Sequence, residues 1–322
     1  MSSRGRVFAL VALAAAAASG VVVVGVLATR GHVPGAPKPR AGRPPLALDF
    51  GIRTDSEARA LRQAQRLYGK GKTAQAATIF GRYRSLEAQV GAAMAAWPGD
   101  TIGRLELLQA EHPRSSLVAL HAGLALYKAR RDADALAAWR AAAKLQPDTP
   151  YAVRAGDLLH PQFAPGLPGF VPSFEEPLRI RILRSPPRKL AALRQAAARG
   201  GAHAKILYGS ALQQLGRPVS AEREFAAAAR LAPGDPDARA AAAVGLFDKA
   251  NPARAFGRLG PLTQVFPKAQ TVRFHLGLLL VWSAQIKEAR RQLTLVETED
   301  PRSLLGRQAA QYLTALGRVG TP

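Results

Sequence analysis

ILYGSALQQLGRPVSAEREFAAAARLAP, residues 206–233, carries a pattern that recurs at a step of 34 over residues 202–301. The prolines are Pro233, Pro267 and Pro301, and a small residue stands twelve positions before each: Ala221, Ala255 and Ala289. A bulky apolar residue stands eight before each (Phe225, Leu259, Leu293), and Gly or Ala twenty-four before each (Gly209, Ala243, Gly277). Leu212, Leu246 and Leu280 keep the same step. A period of this length reads as a helix–turn–helix repeat that stacks on its neighbours. The small residues have a steric reason, because two helices approach closely only where the crossing carries little side chain. Phe225 then fills the space between its own repeat and the next. Gly216 fits the turn between helices, and Pro233 ends the second helix for want of an amide donor.

On the N-terminal side, HAGLALYKARRDADALAAWRAAAKLQP (121–147) repeats the pattern with Gly123, Ala135, Trp139, Ala142 and Pro147. Residues 55–90 hold a degenerate copy with Leu67, Gly71, Ala76 and Phe80. A second poor copy at 86–113 has Leu105, Leu108 and Pro113. Pro113 and Pro147 are in register, and the register then breaks. Residues 151–160 read as a first helix, and RKLAALRQAAAR (188–199) as a second with Leu190, Leu193 and Ala197 on one face. Between them PQFAPGLPGFVPSFEEP (161–177) cannot be helical through its prolines. The simplest account is one repeat whose helices are separated by an insertion at 161–187. Its phenylalanines, Phe163, Phe170 and Phe174, are expected to dock into the neighbouring groove. Residues 304–319 read as a final covering helix.

These stretches resemble the tetratricopeptide repeat, which carries Gly, Ala, Phe and Pro at these spacings. The resemblance implies an all-α fold, a solenoid of helix–turn–helix repeats over 54–160 and 188–322. It is nearly silent on function. It also implies that the first helix of each repeat lines a concave groove. That places His203, Ile206, Ser210, Gln213 and Gln214 in the groove, then Asp237, Ala240, Val244, Phe247 and Asp248, then Phe274, Leu278, Val281 and Trp282. Some members hold C-terminal carboxylates with paired asparagines and lysines. Asn251 is the one asparagine of this chain and falls in a turn, which argues against such a clamp. Phe247, Phe274 and Trp282 favour an apolar peptide or helix as partner, through aromatic anchors. The alternative is that these rings pack against the helix at 304–319.

Composition agrees with packed helices: 48% of residues are hydrophobic and only 6% aromatic. Cysteine is absent, which removes disulfides, thiolate metal sites and a cysteine nucleophile. Residues 7–28, VFALVALAAAAASGVVVVGVLA, are uncharged throughout. As a helix they span about 33 Å, enough for a bilayer core of about 30 Å. They read as a single-pass transmembrane anchor after a short tail (1–6), with a cleaved signal peptide as the competing reading. Residues 29–53 contain GHVPGAPKPRAGRPPLA and read as a Pro/Gly-rich spacer. The body is placed outside the cytoplasm, since long domains translocate largely regardless of flanking charge.

Net charge is +23. Arg179, Arg181, Arg184, Arg188, Lys189, Arg194 and Arg199 form a run with no acid among them. Such a run attracts polyanions: lipid headgroups, envelope polymers or nucleic acid. The plain alternative is a solvated linker. No nucleic-acid module or interleaved aromatic platform supports nucleic acid. LRIRILR (178–184) alternates like a short strand.

Signs of catalysis are missing from the sequence. GKGKT (69–73) fails as a phosphate loop, because the first glycine of that motif would fall on Arg66. The six histidines make no ligand pair on one helix, so no metal or cofactor is expected. His121 and His275 share one repeat position and read as structural. Glu175–Glu176 is an isolated acidic pair. The chain reads as a non-enzymatic, membrane-anchored scaffold for a protein or peptide partner, with envelope assembly as its setting by analogy. A polyanion-binding protein acting through 179–199 is the runner-up.

Overall fold

The computed structural model describes residues 39–319, and among them there is no strand. The transmembrane reading of 7–28 and the tail 1–6 lie outside these residues. No described helix is long and apolar enough to cross a membrane.

The chain divides after Leu159 into two compact units. The first begins with an extended strap, residues 39–50, and continues as three helix hairpins. These are α1 (Ser56–Gly69) with α2 (Thr73–Phe80), α3 (Leu86–Ala95) with α4 (Thr101–Glu111), and α5 (Ser116–Lys128) with α6 (Asp132–Leu145). α7 (Pro150–Leu159) closes the unit, packing on α5 and α6. The second unit begins with its own strap, residues 161–177, followed by the short α8 (Leu178–Arg181) and by α9 (Pro186–Ala198). Three hairpins follow here too. α10 (Ala202–Gln214) pairs with α11 (Pro218–Leu231), and α12 (Pro236–Gly245) with α13 (Ala253–Leu259) and α14 (Leu262–Val265). α15 (Gln270–Trp282) pairs with α16 (Ile286–Glu299), and α17 (Leu304–Val319) packs on α16.

Hairpin packing follows the repeat. A methyl built on Gly123 would lie 2.4 Å from the Trp139 ring, and on Gly209 2.5 Å from Phe225. On Gly277 it would lie 2.9 Å from Leu293 Cγ. Each glycine thus makes room for the bulky residue of the partner helix. Phe225 also reaches the next hairpin, 3.0 Å from a methyl on Gly245. Ala221, Ala255 and Ala289 are fully buried. The turns between helices enter the left-handed region at Gly71, Arg130, Gly216 and Ala284, with φ of 83°, 63°, 65° and 58°. In the middle hairpin of the second unit the return helix is divided before Pro261, which cannot donate a helical hydrogen bond.

Three expectations are corrected. The helices at 151–160 and 188–199 do not form one interrupted repeat: α7 packs on α5 and α6, whereas α9 packs on α10. The broken register marks the boundary between two arrays, each with an end helix that covers apolar surface. The spacer reading of 29–53 fails from residue 39 onward, because Leu48 and Phe50 are buried in the first unit's core. LRIRILR is helical at Leu178–Arg181, where one turn buries Ile180 against Leu193 and Leu207.

Candidate functional site

In each unit the strap lies against the hairpins, and groups on those hairpins, with Tyr151 of α7 in the first unit, hold it by its main chain. Prolines keep the straps extended: they remove amide donors and disfavour helix in the preceding residue. The remaining backbone polar groups must then find partners outside the strap.

In the second unit the Ala164 N–H donates to Trp282 O at 3.1 Å, and the buried Lys249 Nζ donates to Ala164 O at 2.6 Å. The Phe170 N–H donates to Gln213 Oε1 at 2.7 Å. The Val171 N–H donates to His275 Nε2 at 2.9 Å. Ser173 donates to Asp237 twice, through its N–H at 3.0 Å and through its hydroxyl. Asp237 is fixed in turn by the Thr271 hydroxyl at 3.1 Å. The Phe170 ring stacks on His275 at 4.1 Å and tilts against Phe225 at 5.7 Å. The half-buried Phe174 stacks on His203 at 4.0 Å. Phe163 lies instead beside His160, ring centroids 6.4 Å apart.

The first unit repeats the arrangement. The Arg40 N–H donates to Lys128 O at 2.7 Å, and Lys128 Nζ donates to Ala41 O at 2.6 Å. The Tyr68 hydroxyl donates to Pro44 O at 2.6 Å. The Ala47 N–H donates to His121 Nε2 at 3.1 Å, and the Asp49 N–H to the Tyr151 hydroxyl at 3.1 Å. Arg40 forms a two-pronged pair with Asp132 at 2.6 and 2.8 Å and lies over the Tyr127 ring at 3.9 Å.

The two histidines work alike. His121 Nδ1 faces Leu117 O at 2.8 Å, and His275 Nδ1 faces Thr271 O at 2.6 Å. A carbonyl only accepts, so Nδ1 carries the proton and Nε2 accepts the strap amide. Burial drives both pKa values down from the usual 6.5 to about 4, which keeps the rings neutral. Arg154 pushes His121 further in the same direction.

Of the residues that the resemblance assigns to the groove, His203, Gln213 and Asp237 touch the strap by side chain. Trp282 touches it by its carbonyl. Ile206, Phe247, Val281 and the Trp282 side chain belong to the buried core, as does Phe274. Phe274 meets Tyr312 of α17 at 6.1 Å, so this ring packs against the final helix. Gln214 and Asp248 are exposed. The sequence places His275 at a repeat position but does not reveal its role as acceptor, nor the role of Lys249. The only trace of either is polarity at a buried position. In the basic run, Lys189 pairs with Glu176 at 2.6 Å and Arg181 pairs with Glu175. Arg179, Arg184, Arg188, Arg194 and Arg199 are exposed.

No family model matches the chain, and no curated protein matches it. Among solved structures the chain is similar to a tetratricopeptide repeat protein from Parabacteroides merdae. Identity is 11% and the TM-score 0.33, over 81% of this chain and 99% of that one. Another is the C-terminal part of a TPR repeat-containing protein from Cytophaga hutchinsonii, at 14% identity and TM-score 0.28, over 79% and 99%. Yeast Tom70 matches at 12% identity and TM-score 0.31, over 86% and 67%.

Proposed function

We propose that the chain is a non-enzymatic scaffold of tetratricopeptide type that binds a protein partner. One observation carries this reading: both units hold an extended segment against their hairpins through its backbone, a mode by which a surface recognises peptide. Residues 7–28 anchor the scaffold as a single-pass membrane helix, with the body outside the cytoplasm and envelope assembly as the setting. The apolar length of that segment supports the anchor. Release of the chain from membranes by alkaline carbonate, or a mature N-terminus near Thr29, would exclude it.

The scaffold itself is tested by photocrosslinking in native membranes. Probes go at the exposed Gln214 and Asp248, next in sequence to the strap-holding Gln213 and Lys249, with a control on the exposed Arg223 of α11. The expected result is one recurrent protein captured from the groove positions and not from the control. Absence of any groove-specific protein adduct would overturn the reading.

A second reading has its own observation. Leu178 and Ile182 are 63% and 64% exposed and stand among Arg179, Arg184 and Arg188. Exposed apolar side chains close in sequence to exposed arginines suit an anionic lipid surface. Binding to anionic vesicles that falls steeply with salt is expected for this reading, and salt-insensitive binding speaks against it.

A further inference from the structure

The two units agree beyond their general plan. Adding 154 to α5 (116–128) gives α15 (270–282), and adding it to α6 (132–145) gives α16 (286–299). The same offset carries His121 to His275, Lys128 to Trp282 and the left-handed Arg130 to the left-handed Ala284. The straps obey a different constant offset, 124. GRPPLALDF (42–50) falls on GLPGFVPSF (166–174). Gly42 and Gly166 coincide and share a left-handed φ of 75° and 73°. Pro44 coincides with Pro168, Leu46 with Phe170, and Phe50 with Phe174.

Two of the strap contacts coincide as well. The strap amides of Arg40 and Ala164 donate to the carbonyls of Lys128 and Trp282. The strap amides of Ala47 and Val171 donate to His121 and His275. Two segments separated by a whole array thus sit in one register on two grooves. Packing alone does not require this, since a main-chain register is fixed only where specific acceptors await specific amides.

We infer that each groove is a binding site for an extended peptide of the form Gly-x-Pro-x-(Leu/Phe)-(Ala/Val)-x-(Asp/Ser)-Phe, and that the straps are resident copies of that ligand. This rests on the reading of the grooves as peptide sites. Glycine is required at the first position because its φ is positive. The two buried histidines read backbone, so they tolerate varied side chains while fixing register. Side-chain preference differs between grooves. Asp132 and Tyr127 of the first meet Arg40, whereas Phe225, His275 and His203 of the second meet aromatic rings. A tethered strap acts at an effective concentration of about millimolar. An external segment therefore enters only where the strap is weakened or the partner brings additional contacts.

The test uses the full chain in detergent and labelled peptides covering 40–52 and 162–175. Val171→Pro removes the amide given to His275 and loosens the second strap. The expected result is that this variant binds the 162–175 peptide at least ten-fold more tightly than the unaltered chain. Replacing the glycine and the last phenylalanine of the peptide should weaken binding at least ten-fold. A folded variant, helical and cooperative on melting, that binds neither peptide overturns the inference. Should Val171→Pro fail to fold, hydrogen exchange on the unaltered chain decides. Faster exchange across 170–174 in large peptide excess supports the site, and an unchanged rate overturns it. The scaffold reading fails separately. A groove-specific protein adduct with no peptide binding leaves the scaffold standing without this ligand, and peptide binding with no adduct does the reverse.

Discussion

His121 and His275 each turn a buried ring into an acceptor for a strap amide. Protonation would change Nε2 from acceptor into donor and set it against that amide. With the folded pKa lowered from 6.5 to about 4, the unfolded chain binds more protons between those values. Stability is therefore complete above pH 6.5 and declines as pH falls toward 4, by up to about 1.4 kcal/mol per pH unit for each histidine. The charged groups near them are Arg154 for His121 and, through Thr271, Asp237 for His275. Denaturant midpoints measured from pH 7.5 to 4 check this, and His275→Phe should flatten part of the slope. The same variant leaves the Val171 amide without its acceptor, at a cost of about 1–3 kcal/mol. Ala284 offers a gain instead. Its left-handed φ of 58° costs an L-residue about 1–2 kcal/mol, so Ala284→Gly should leave stability unchanged or raise it slightly in thermal melts.

Among the elements, the contact of glycine with a bulky residue sets how closely α5 packs on α6, α10 on α11 and α15 on α16. Ala221 has no exposed surface, and Gly209 has no room for a methyl beside Phe225. Ala221→Leu and Gly277→Leu should each destabilise by about 1–3 kcal/mol through overpacking. Equal midpoints for both variants and the unaltered chain would show that the crossing is elsewhere. The strap is an element in the same sense, since Phe170 is 3% exposed within the second unit's core. Phe170→Ala should cost about 3–5 kcal/mol as a large-to-small core change. Limited trypsin digestion tests the docking directly. The Arg179, Arg181 and Arg184 bonds should resist cleavage in the unaltered chain and be cut early in a Phe170→Ala, Phe174→Ala double variant.

At the largest scale the described residues form two units, each of which closes its own core and holds its own strap. Residues 160–319 expressed alone are expected to be helical and to unfold cooperatively. Removal of 160–177 from that piece should broaden the transition and expose apolar surface, read by calorimetry and dye binding. A strap-less piece that melts as sharply and at the same temperature would make the strap a passenger. The basic run also adds to the electrostatic field of the described surface. Glu175 and Glu176 neutralise two of its members, so that field is weaker than residues 179–199 suggest when read alone.

The hairpins follow from residue identity alone. Gly209 with Phe225, Ala221 and Pro233 recur at a constant step, and helix geometry turns that step into contact without further information. Phe170 and Phe174 were legible in the same way, as rings in a proline-rich segment that must find cover. The break after Pro147 was not. A register sum reports that an array stops, and it is silent on whether a repeat is interrupted or a second array begins. That depends on which helix covers which apolar face, a matter settled by folded contacts. The straps were hidden for a related reason. GRPPLALDF and GLPGFVPSF agree only at their Gly, the first Pro and the last Phe, and what the fold matches between them is one histidine-held amide and one positive φ. Backbone recognition leaves little trace in side-chain identity, so Ala47 and Val171 meet their histidines only once the chain is folded.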